Sequence, residues 1–399
     1  MNTIQVPAPR METPVSDATR PLRVLTLTPF YPSVQDPAQG CFIAEPLVCT
    51  ERLRIANEVI AVEPFYRRRL SALQSSVSSQ WRSYFSLPGN FGLASAGSFL
   101  AARLSNAVRG LHRQMPFDLI HAHSALPCGQ AAAALSRNLG IPFVVSVHGL
   151  DTFSTRQVGK LWANWCHQKS TQVYRRARAI ICISEKVKQQ LTSEIAAKAV
   201  VIYNGVDANV FTPATETQPT LTVLSVGNLI PIKGHALLLR AFADVISYVP
   251  NARLEIVGEG CERERLVNLA NALEISKRVS FIGRQNRDGI AQAMQRCAVF
   301  ALPSSYEGLG CVYLEAMASG KPAIGCREQG IDEVIEHGKN GLLISLGNQA
   351  ELVESLRVTL QNEDFRRRMG TAAREAVLQA YTLEHQAHRF AQLYRECVQ

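Results

Sequence analysis

The feature that most constrains the fold is a repeated alternation of short apolar runs with longer helical patterns. The first series of apolar runs comprises Leu22–Leu27, Val59–Val62, Leu119–His121, Phe143–Val147, Ala179–Ile183 and Val200–Ile202. A Thr- and Pro-rich stretch from Thr212 to Thr220 then reads as a linker. The second series comprises Thr222–Val226, Arg253–Val257, Val279–Phe281, Val299–Leu302, Pro322–Ile324 and Gly341–Ile344. Such alternation builds parallel sheets, so we predict an α/β protein with two doubly wound, Rossmann-like domains that face a central cleft.

Composition and charge narrow the class of protein. The 399 residues are 47% hydrophobic and 19% charged, the profile of a soluble globular protein, and no apolar stretch is long enough to span a bilayer. The net charge of +9 is uneven, because residues 1–200 hold 22 Lys/Arg and 11 Asp/Glu, whereas residues 201–399 hold 20 and 22. A basic first half indicates an anionic partner: nucleic acid, anionic lipid headgroups or a lipid-pyrophosphate acceptor.

The N-terminal residues and the cysteines indicate the cellular compartment of the protein. Residues 1–20 are polar, contain three prolines and lack the apolar core of a secretory signal, so we predict a disordered leader. The ten cysteines include no C-x-x-C pair, which favours free thiols in a reducing cytosol over disulfides or zinc. His121 and His123 could bind a metal ion from one strand face, but no third ligand is indicated and the sequence has no Asp-x-Asp. We therefore predict no metal site.

Two carboxylates near the C-terminal end of the chain point to a ligand. Glu307 and Glu315 stand eight residues apart around Gly308-Leu309-Gly310. The glycines let backbone N–H groups approach a ligand, and the helix predicted after Gly310 has an N-terminus suited to a phosphate. Because a carboxylate is a poor phosphate ligand but a good acceptor for sugar hydroxyls, this combination predicts a nucleotide-sugar site. Solvated carboxylates at a βα turn are the alternative.

The amino-acid sequence around the two carboxylates is more specific for a protein family than their spacing. Glu-x7-Glu within SSYEGLGCVYLEAMASGKP resembles the signature of family 4 retaining glycosyltransferases, which have the two-domain GT-B fold, and the resemblance covers about Leu22 to Leu393. It implies metal-independent transfer of a sugar, without a cofactor, from a UDP or GDP donor to an acceptor hydroxyl. It also implies an acceptor-side domain at 21–205, a nucleotide-sugar-binding domain at 206–380 and a C-terminal helix at 381–399 that crosses back to the first domain.

The resemblance implies roles for the signature residues. Glu307 would bind the hydroxyls of the transferred sugar, and Glu315 would bind the ribose hydroxyls. The N–H groups of Gly308, Leu309 and Gly310 would face the departing diphosphate. In this family a phosphate oxygen of the donor usually takes the proton of the acceptor, so no side-chain nucleophile is required.

A second loop completes the predicted diphosphate site. Gly227-Asn-Leu-Ile-Pro-Ile-Lys-Gly234 follows the first strand of the second domain, and in the resembling family this loop reads Gly-Arg-x-x-x-x-Lys-Gly. Lys233 matches the lysine that clamps the diphosphate, whereas Asn228 replaces the arginine and can supply only an uncharged hydrogen bond. A capping turn with a surface lysine is the alternative.

Three further positions match the family pattern. His148, in a His-Gly-x-Asp run that ends at Asp151, resembles a histidine that contacts the transferred sugar near the anomeric carbon, although a lone histidine can be structural. Glu307, His148 and Lys233 are therefore the predicted catalytic residues. Arg284 occupies a position that usually borders the base. Gly40 lies in a glycine loop that approaches the acceptor and the donor phosphates.

A basic segment in the first half suggests where the acceptor lies. Residues 52–113 hold nine arginines, among them Arg67, Arg68 and Arg69, but only two acids, with Trp81, Tyr84 and Phe85 interleaved. Such a pattern can bind nucleic acid or be a solvated face. With a glycosyltransferase core we favour attachment to anionic lipids at the inner face of the cell membrane, without nucleic acid.

The acceptor and the pathway follow from the same features. We expect a cytoplasmic, peripheral enzyme that acts on a glycan or lipid-linked acceptor, as in exopolysaccharide, teichuronic-type polymer or lipopolysaccharide synthesis. A soluble acceptor is the nearest alternative. A nucleotide-sugar 2-epimerase shares the fold, but the Glu-x7-Glu block argues against it. A periplasmic sugar-binding protein would need a signal peptide.

Overall fold

The computed structural model describes residues 20–34, 36, 38–67, 76–88, 92–149, 160–214 and 221–399, without the side chains of residues 160 and 161. Two parallel sheets form its frame. The strands of the first sheet are Leu22–Thr28 (β1), Ile55–Pro64 (β2), Ser78–Tyr84 (β3), Leu119–His123 (β4), Phe143–Val147 (β5), Ala179–Cys182 (β6) and Ala199–Val201 (β7). Their spatial order is β3-β2-β1-β4-β5-β6-β7, so the direction of winding reverses between β1 and β4.

The second sheet repeats this arrangement in the second half of the chain. Its strands are Thr222–Val226 (β8), Arg253–Val257 (β9), Val279–Gly283 (β10), Val299–Ala301 (β11), Ala323–Cys326 (β12) and Leu342–Ile344 (β13). The order β10-β9-β8-β11-β12-β13 places the reversal between β8 and β11. Ligands of doubly wound sheets bind beyond the carboxyl ends of the strands at such reversals.

Helices cover both sheets. Those that follow strands of the first sheet are Cys41–Glu51 (α1), Leu93–Gln114 (α2), Gln130–Leu139 (α3), Lys160–Arg176 (α4), Glu185–Lys188 (α5) and Ser193–Ala196 (α6). Those of the second half are His235–Ile246 (α7), Arg263–Ala272 (α8), Arg287–Arg296 (α9), Cys311–Ala318 (α10), Gln349–Gln361 (α11), Glu363–Ala380 (α12) and Leu383–Val398 (α13). Among the described residues, no helix combines the length and apolar character needed to cross a membrane.

The predicted fold class is confirmed, and every predicted apolar run contributes to a strand. Most of these strands are buried along their whole length, as β5, β6 and β8 show. Parallel strands covered by helices on both faces read as continuous apolar runs, which explains why the sequence revealed them. Strand β3 was missed because it is a partly exposed edge strand with the polar sequence SSQWRSY.

The chain passes between the two halves at two adjacent points. Val206 forms an isolated parallel bridge with Thr382. A Cβ atom at Gly205 would lie 2.3 Å from the carbonyl oxygen of Thr382, so only glycine permits this close approach. After the second passage, α13 packs against the first sheet: Phe390 and Tyr394 are buried in a cluster with residues of β1, β4 and β5.

Candidate active site

The loops after the carboxyl ends of the strands bring the two domains into contact. The hydroxyl of Tyr306, after β11, donates to the carbonyl of Gly149, after β5, at 2.8 Å. The hydroxyl of Ser184, after β6, donates to the carbonyl of Gly308. The segment that was singled out by its two carboxylates therefore lies between the sheets, where the cleft was predicted.

Glu307 and Lys233 form an ion pair at the centre of this region. Lys233 Nζ lies 2.6 Å from Glu307 Oε1, and the two side chains are 20% and 8% exposed. The hydroxyl of Ser304 donates to the same oxygen at 3.1 Å, and the N–H of Glu307 donates to Gln329 Oε1 at 3.2 Å. Lys233 and Ser304 thus hold the carboxylate and Gln329 holds the backbone of the same residue, and the sequence had indicated neither Ser304 nor Gln329 as a partner of Glu307.

The backbone explains why Lys233 reaches Glu307. Lys233 ends a short 3-10 turn, Pro231–Lys233, that follows β8, and Gly234 has a φ of 73°. A Cβ atom at Gly234 would lie 2.0 Å from the carbonyl oxygen of Pro303, so a larger residue would push the two loops apart. The N–H of Ser305 also donates to Ile232 at 2.8 Å. These contacts fix the lysine loop on the loop that carries Glu307.

The Gly308-Leu309-Gly310 segment leads into α10. Gly310, with a φ of 84°, precedes the first residue of the helix, and Leu309 is fully buried in the core. The carbonyl of Gly308 faces the first domain, where it accepts from Ser184. The N-terminus of α10, with its positive dipole end, therefore begins beside the Glu307–Lys233 pair, an arrangement suited to an anionic group.

Glu315 lies on α10 and has a partner that sequence reasoning missed. Its Oε1 is bonded to Nη1 of Arg287, while Nη2 of the same guanidinium lies 2.7 Å from Glu45 Oε2 on α1. The guanidinium also lies over the ring of Phe211, 4.6 Å from its centroid. No motif marks Arg287 or Glu45 in the sequence, because their connection depends on how the domains meet.

Burial and neighbouring charges change the pKa values of Glu45 and Arg287. Burial raises the pKa of Glu45 to about 7; Arg287 opposes that rise, and the charge of Glu315 adds to it. Burial acts to lower the pKa of Arg287, but the charges of Glu315, Cys41 and Glu45 outweigh it and leave the pKa above its ordinary value. The guanidinium is therefore a permanent cation that contacts both carboxyl groups.

His148 belongs to a row of three histidines, in which His121 and His123 are buried and His148 is half-buried. Its Nε2 lies 3.0 Å from Nδ1 of His123, and its ring meets the ring of Phe42 edge-on with centroids 5.2 Å apart. His121 continues the row, with Nδ1 2.6 Å from the hydroxyl of Tyr394 on α13. Burial lowers the pKa of His148 to about 4, so the ring is a neutral imidazole at physiological pH.

The remaining predicted donor residues lie at the edges of the region. Asn228 is exposed, and its carbonyl accepts from the N–H of Ile230 at 2.9 Å. Arg284 is exposed and ion-paired with Asp36 of the first domain, a partner that the sequence did not indicate. Gly40 is buried before α1 with a φ of 70°. Their contacts with a donor remain predictions.

The predicted acceptor-side segment lies at the outer end of the first sheet. Arg67 is exposed just beyond the end of β2, whereas Arg68, Arg69 and Asp151 lie outside the described residues. Next to Arg67 is an aromatic cluster that the sequence showed only in part. The rings of Phe65 and Phe85 are stacked 5.4 Å apart, and Phe99 on α2 meets Phe85 edge-on at 5.1 Å.

The sequence also predicted free thiols and no metal site. All ten cysteines are free thiols, as expected. Six of them are buried, which agrees with their places in apolar segments. Within the part of the chain that the structure describes, no three His, Cys, Asp or Glu side chains are grouped so that they could hold a metal ion.

The sequence matches two family descriptions that adjoin each other. Glycosyltransferase Family 4 matches residues 50–210, and Glycosyl transferases group 1 matches residues 211–376. An uncharacterized glycosyltransferase of Methanocaldococcus jannaschii is 30% identical over 260 residues, which cover 65% of this chain and 70% of that protein. The N-acetyl-alpha-D-glucosaminyl L-malate synthase of Bacillus anthracis is 28% identical over 291 residues, covering 69% and 74% of the two chains.

Solved structures give the same fold. The sucrose-phosphate synthase of Thermosynechococcus elongatus superposes with a TM-score of 0.79 at 20% identity, covering 94% of this chain and 98% of that chain. HepE of Anabaena, solved in complex with UDP and glucose, superposes with a TM-score of 0.72 at 22% identity, covering 94% and 100%. The chain therefore belongs to the family 4, group 1 glycosyltransferases, and it is a transferase with the GT-B fold.

Proposed function

We propose that the protein transfers a sugar from a nucleoside diphosphate donor to an acceptor hydroxyl with retention at the anomeric carbon. The observation that carries this proposal is the Lys233–Glu307 pair, with 2.6 Å between Nζ and Oε1, beside the N-terminus of α10. A cation and a helix N-terminus suit a diphosphate, while an adjacent carboxylate suits sugar hydroxyls. The pair therefore stands where the phosphate and sugar portions of a donor would join.

Each residue then has a distinct role. Lys233, the N-terminus of α10 and the N–H groups of Gly308, Leu309 and Gly310 offset the charge that grows on the departing diphosphate. Glu307 accepts hydrogen bonds from sugar hydroxyls, and Glu315 accepts from the ribose. His148, neutral because desolvation lowers its pKa, can bond the sugar without repelling positive charge at the anomeric carbon.

The bond changes need no side-chain nucleophile. The bond from the anomeric carbon to the β-phosphate oxygen breaks, and the acceptor oxygen forms a bond to that carbon on the same face. The acceptor proton passes to an oxygen of the departing diphosphate. The enzyme contributes position and electrostatic stabilisation, which together can supply most of a rate enhancement.

The nature of the donor is supported by neighbouring structures. HepE of Anabaena was solved with UDP and with UDP-glucose at TM-scores of 0.70. At 20% identity these neighbours support the class of donor and not its base or sugar. A screen for slow hydrolysis of UDP- and GDP-sugars tests the proposal directly: release of one free nucleoside diphosphate supports it, and no release from any donor contradicts it.

We propose that no divalent metal ion takes part, because Lys233 and the helix N-terminus supply the positive charge. Donor hydrolysis should then persist in excess EDTA, which removes Mn²⁺ and Mg²⁺. A loss of activity that only added Mn²⁺ or Mg²⁺ restores would contradict this part of the mechanism.

We also propose that the acceptor is a glycan on a lipid carrier, used in cell-surface polysaccharide synthesis, and that the enzyme docks from the cytoplasm on anionic membrane. The supporting observation is the surface around Arg67. Residues 65–117 contain seven arginines and no Asp or Glu. The aromatic cluster exposes Phe65, Phe85 and Phe99 by 56%, 49% and 47% on this surface. Arginines with exposed aromatic rings suit an anionic lipid interface.

Liposome sedimentation tests the membrane proposal. The protein should sediment with vesicles that contain phosphatidylglycerol, fail to sediment with neutral vesicles, and dissociate at high salt because surface charges are screened over about 8 Å at physiological ionic strength. Replacing Arg67, Arg68 and Arg69 by Ser should weaken binding without changing donor hydrolysis. Equal binding to both vesicles, or none, would favour a soluble acceptor.

A nucleotide-sugar 2-epimerase of the same fold is the alternative reaction. It would convert the donor and release nucleotide without any acceptor. Product analysis separates the two, because a transferase gives a glycosylated acceptor in amounts equal to the released nucleoside diphosphate.

A further inference from the structure

One helix from each domain carries a cysteine followed four residues later by a glutamate, and both glutamates contact the guanidinium of Arg287. Helix α1 of the first domain begins with Cys41 and carries Glu45 four residues later; helix α10 of the second domain begins with Cys311 and carries Glu315 four residues later. Residues four apart share a helix face, so each helix directs a carboxylate from the same face as its first thiol. Arg287 lies between the two carboxylates.

The guanidinium divides its two terminal nitrogens between the domains. Nη1 is bonded to Oε1 of Glu315, and Nη2 lies 2.7 Å from Oε2 of Glu45. Arg287 is only 20% exposed, and Glu45 and Glu315 are 26% and 9% exposed. A planar guanidinium holds two carboxylates in a fixed geometry that an ammonium group cannot reproduce. The three side chains thus form a bridge across the cleft, which we name the Arg287 bridge.

We propose that Arg287 is a positioning residue that orients Glu315 for the ribose and that makes this orientation depend on Glu45 of the first domain. The inference rests on the proposed function, since the ribose role of Glu315 belongs to it. One oxygen of Glu315 is occupied by Arg287, and the other carboxylate oxygen remains to accept from a ribose hydroxyl. Arg287 also offsets a negative charge that would otherwise repel the diphosphate.

Other contacts between the domains provide a matched control. Glu333 of the second domain accepts from the N–H groups of Glu185 and Lys186, at 2.8 and 2.7 Å, and from the hydroxyl of Tyr203 at 2.9 Å. It joins the domains through a half-buried carboxylate, but none of these partners is a predicted donor ligand. Its removal should loosen the domains without reaching Glu315.

Calorimetry with UDP and GDP is the first test. Glu45→Ala should weaken binding of the preferred nucleoside diphosphate by about fivefold or more, the usual range of coupling between sites. Glu333→Ala should change it much less. In kinetics, Glu45→Ala should raise the donor KM with little change in kcat, because a ribose contact is present in both ground and transition states. Equal losses in Glu45→Ala and Glu333→Ala would reduce the bridge to a general domain contact and overturn the proposal.

A double-mutant cycle tests whether Arg287 carries the coupling. Arg287→Lys keeps the charge but cannot hold both carboxylates, so it should resemble Glu45→Ala. The double variant should then bind nucleotide no more weakly than either single variant, because the same connection is lost in all three. Additive losses would mean that Glu45 acts by another route. Glu45→Gln, which keeps the shape of the side chain, serves if Glu45→Ala does not fold.

Hydrogen–deuterium exchange tests the bridge without any nucleotide. In the free protein, Glu45→Ala should increase exchange within α10 around Glu315, whereas Glu333→Ala should leave this helix unchanged. Unaltered exchange in α10 would refute the positioning role. If the wild type binds neither UDP nor GDP, the proposed donor is wrong, and the exchange result still decides whether the Arg287 bridge orients Glu315.

Discussion

Replacement of Glu307 by Gln tests the centre of the proposed mechanism with the least change in shape. The amide can still accept from Ser304, which donates to Oε1 at 3.1 Å, but it loses the charge that pairs with Lys233 at 2.6 Å. A hydrogen bond to a charged group contributes about 1.5–3 kcal/mol. The substitution removes the charge of the group that accepts from the sugar hydroxyl, so kcat/KM should fall by about tenfold to a hundredfold.

The same change should have a measurable but smaller effect on stability. Removing one partner of a buried ion pair costs about 3–5 kcal/mol, but Lys233 keeps 20% of its surface in water, so about 2 kcal/mol is a better expectation here. For domains of this size that corresponds to a melting temperature lower by about 4–8 °C. Glu307→Gln should therefore fold at assay temperature.

Steady-state kinetics with the donor found in the hydrolysis screen, alongside circular dichroism, measures both effects. Ser305→Ala is the matched control, because Ser305 is exposed in the same loop and its hydroxyl donates to Ile232 at 3.3 Å. The control should keep its activity. A folded Glu307→Gln variant with wild-type kcat/KM would remove Glu307 from the site.

Four further variants test neighbouring assignments. Glu315→Gln should mainly weaken binding of the nucleoside diphosphate, which calorimetry measures; unchanged affinity would contradict the ribose role. Lys233→Ala should severely reduce transfer, while Asn228→Arg should tighten donor binding if the loop follows the family geometry, and no tightening would mean that it is arranged differently. His148 has a folded pKa of about 4 against an unfolded value near 6.5, so the unfolded state binds more protons between these values and His148 lowers stability as the pH falls through that window. Thermal melts should accordingly show that His148→Gln loses less stability than the wild type between pH 7 and pH 5, and equal losses would place the proton elsewhere.

The contiguous part of the candidate site could be proposed from the sequence because its residues are close along the chain. Glu307, Gly308 and Gly310 belong to one loop, and Glu315 follows on the helix that this loop begins. The lysine loop was predicted separately from its place after β8. The structure joins the two loops through the 2.6 Å contact of Lys233 with Glu307, made possible by the close packing of Gly234 on Pro303.

For some residues, the sequence motif did not show which contacts the side chain makes in the folded protein. His148 was singled out by its motif, but only the structure shows that it lies against His123 and Phe42 and that burial keeps it neutral. Arg284 was assigned to the base by resemblance, whereas the structure pairs it with Asp36 across the cleft. A motif specifies a position on the chain and does not specify which neighbours the position acquires.

The two-domain α/β architecture could be predicted without coordinates, because strands buried on both faces must be apolar along their whole length and that pattern is local. The glycosyltransferase family could also be recognised from the sequence, because the loop with Glu307 and the helix with Glu315 form one continuous segment of the chain. The contact of Arg287 with both Glu45 and Glu315 could not be predicted in this way. Arg287 and Glu45 are 242 positions apart, and their contact depends on how two separately formed domains pack, which no local pattern of residues encodes.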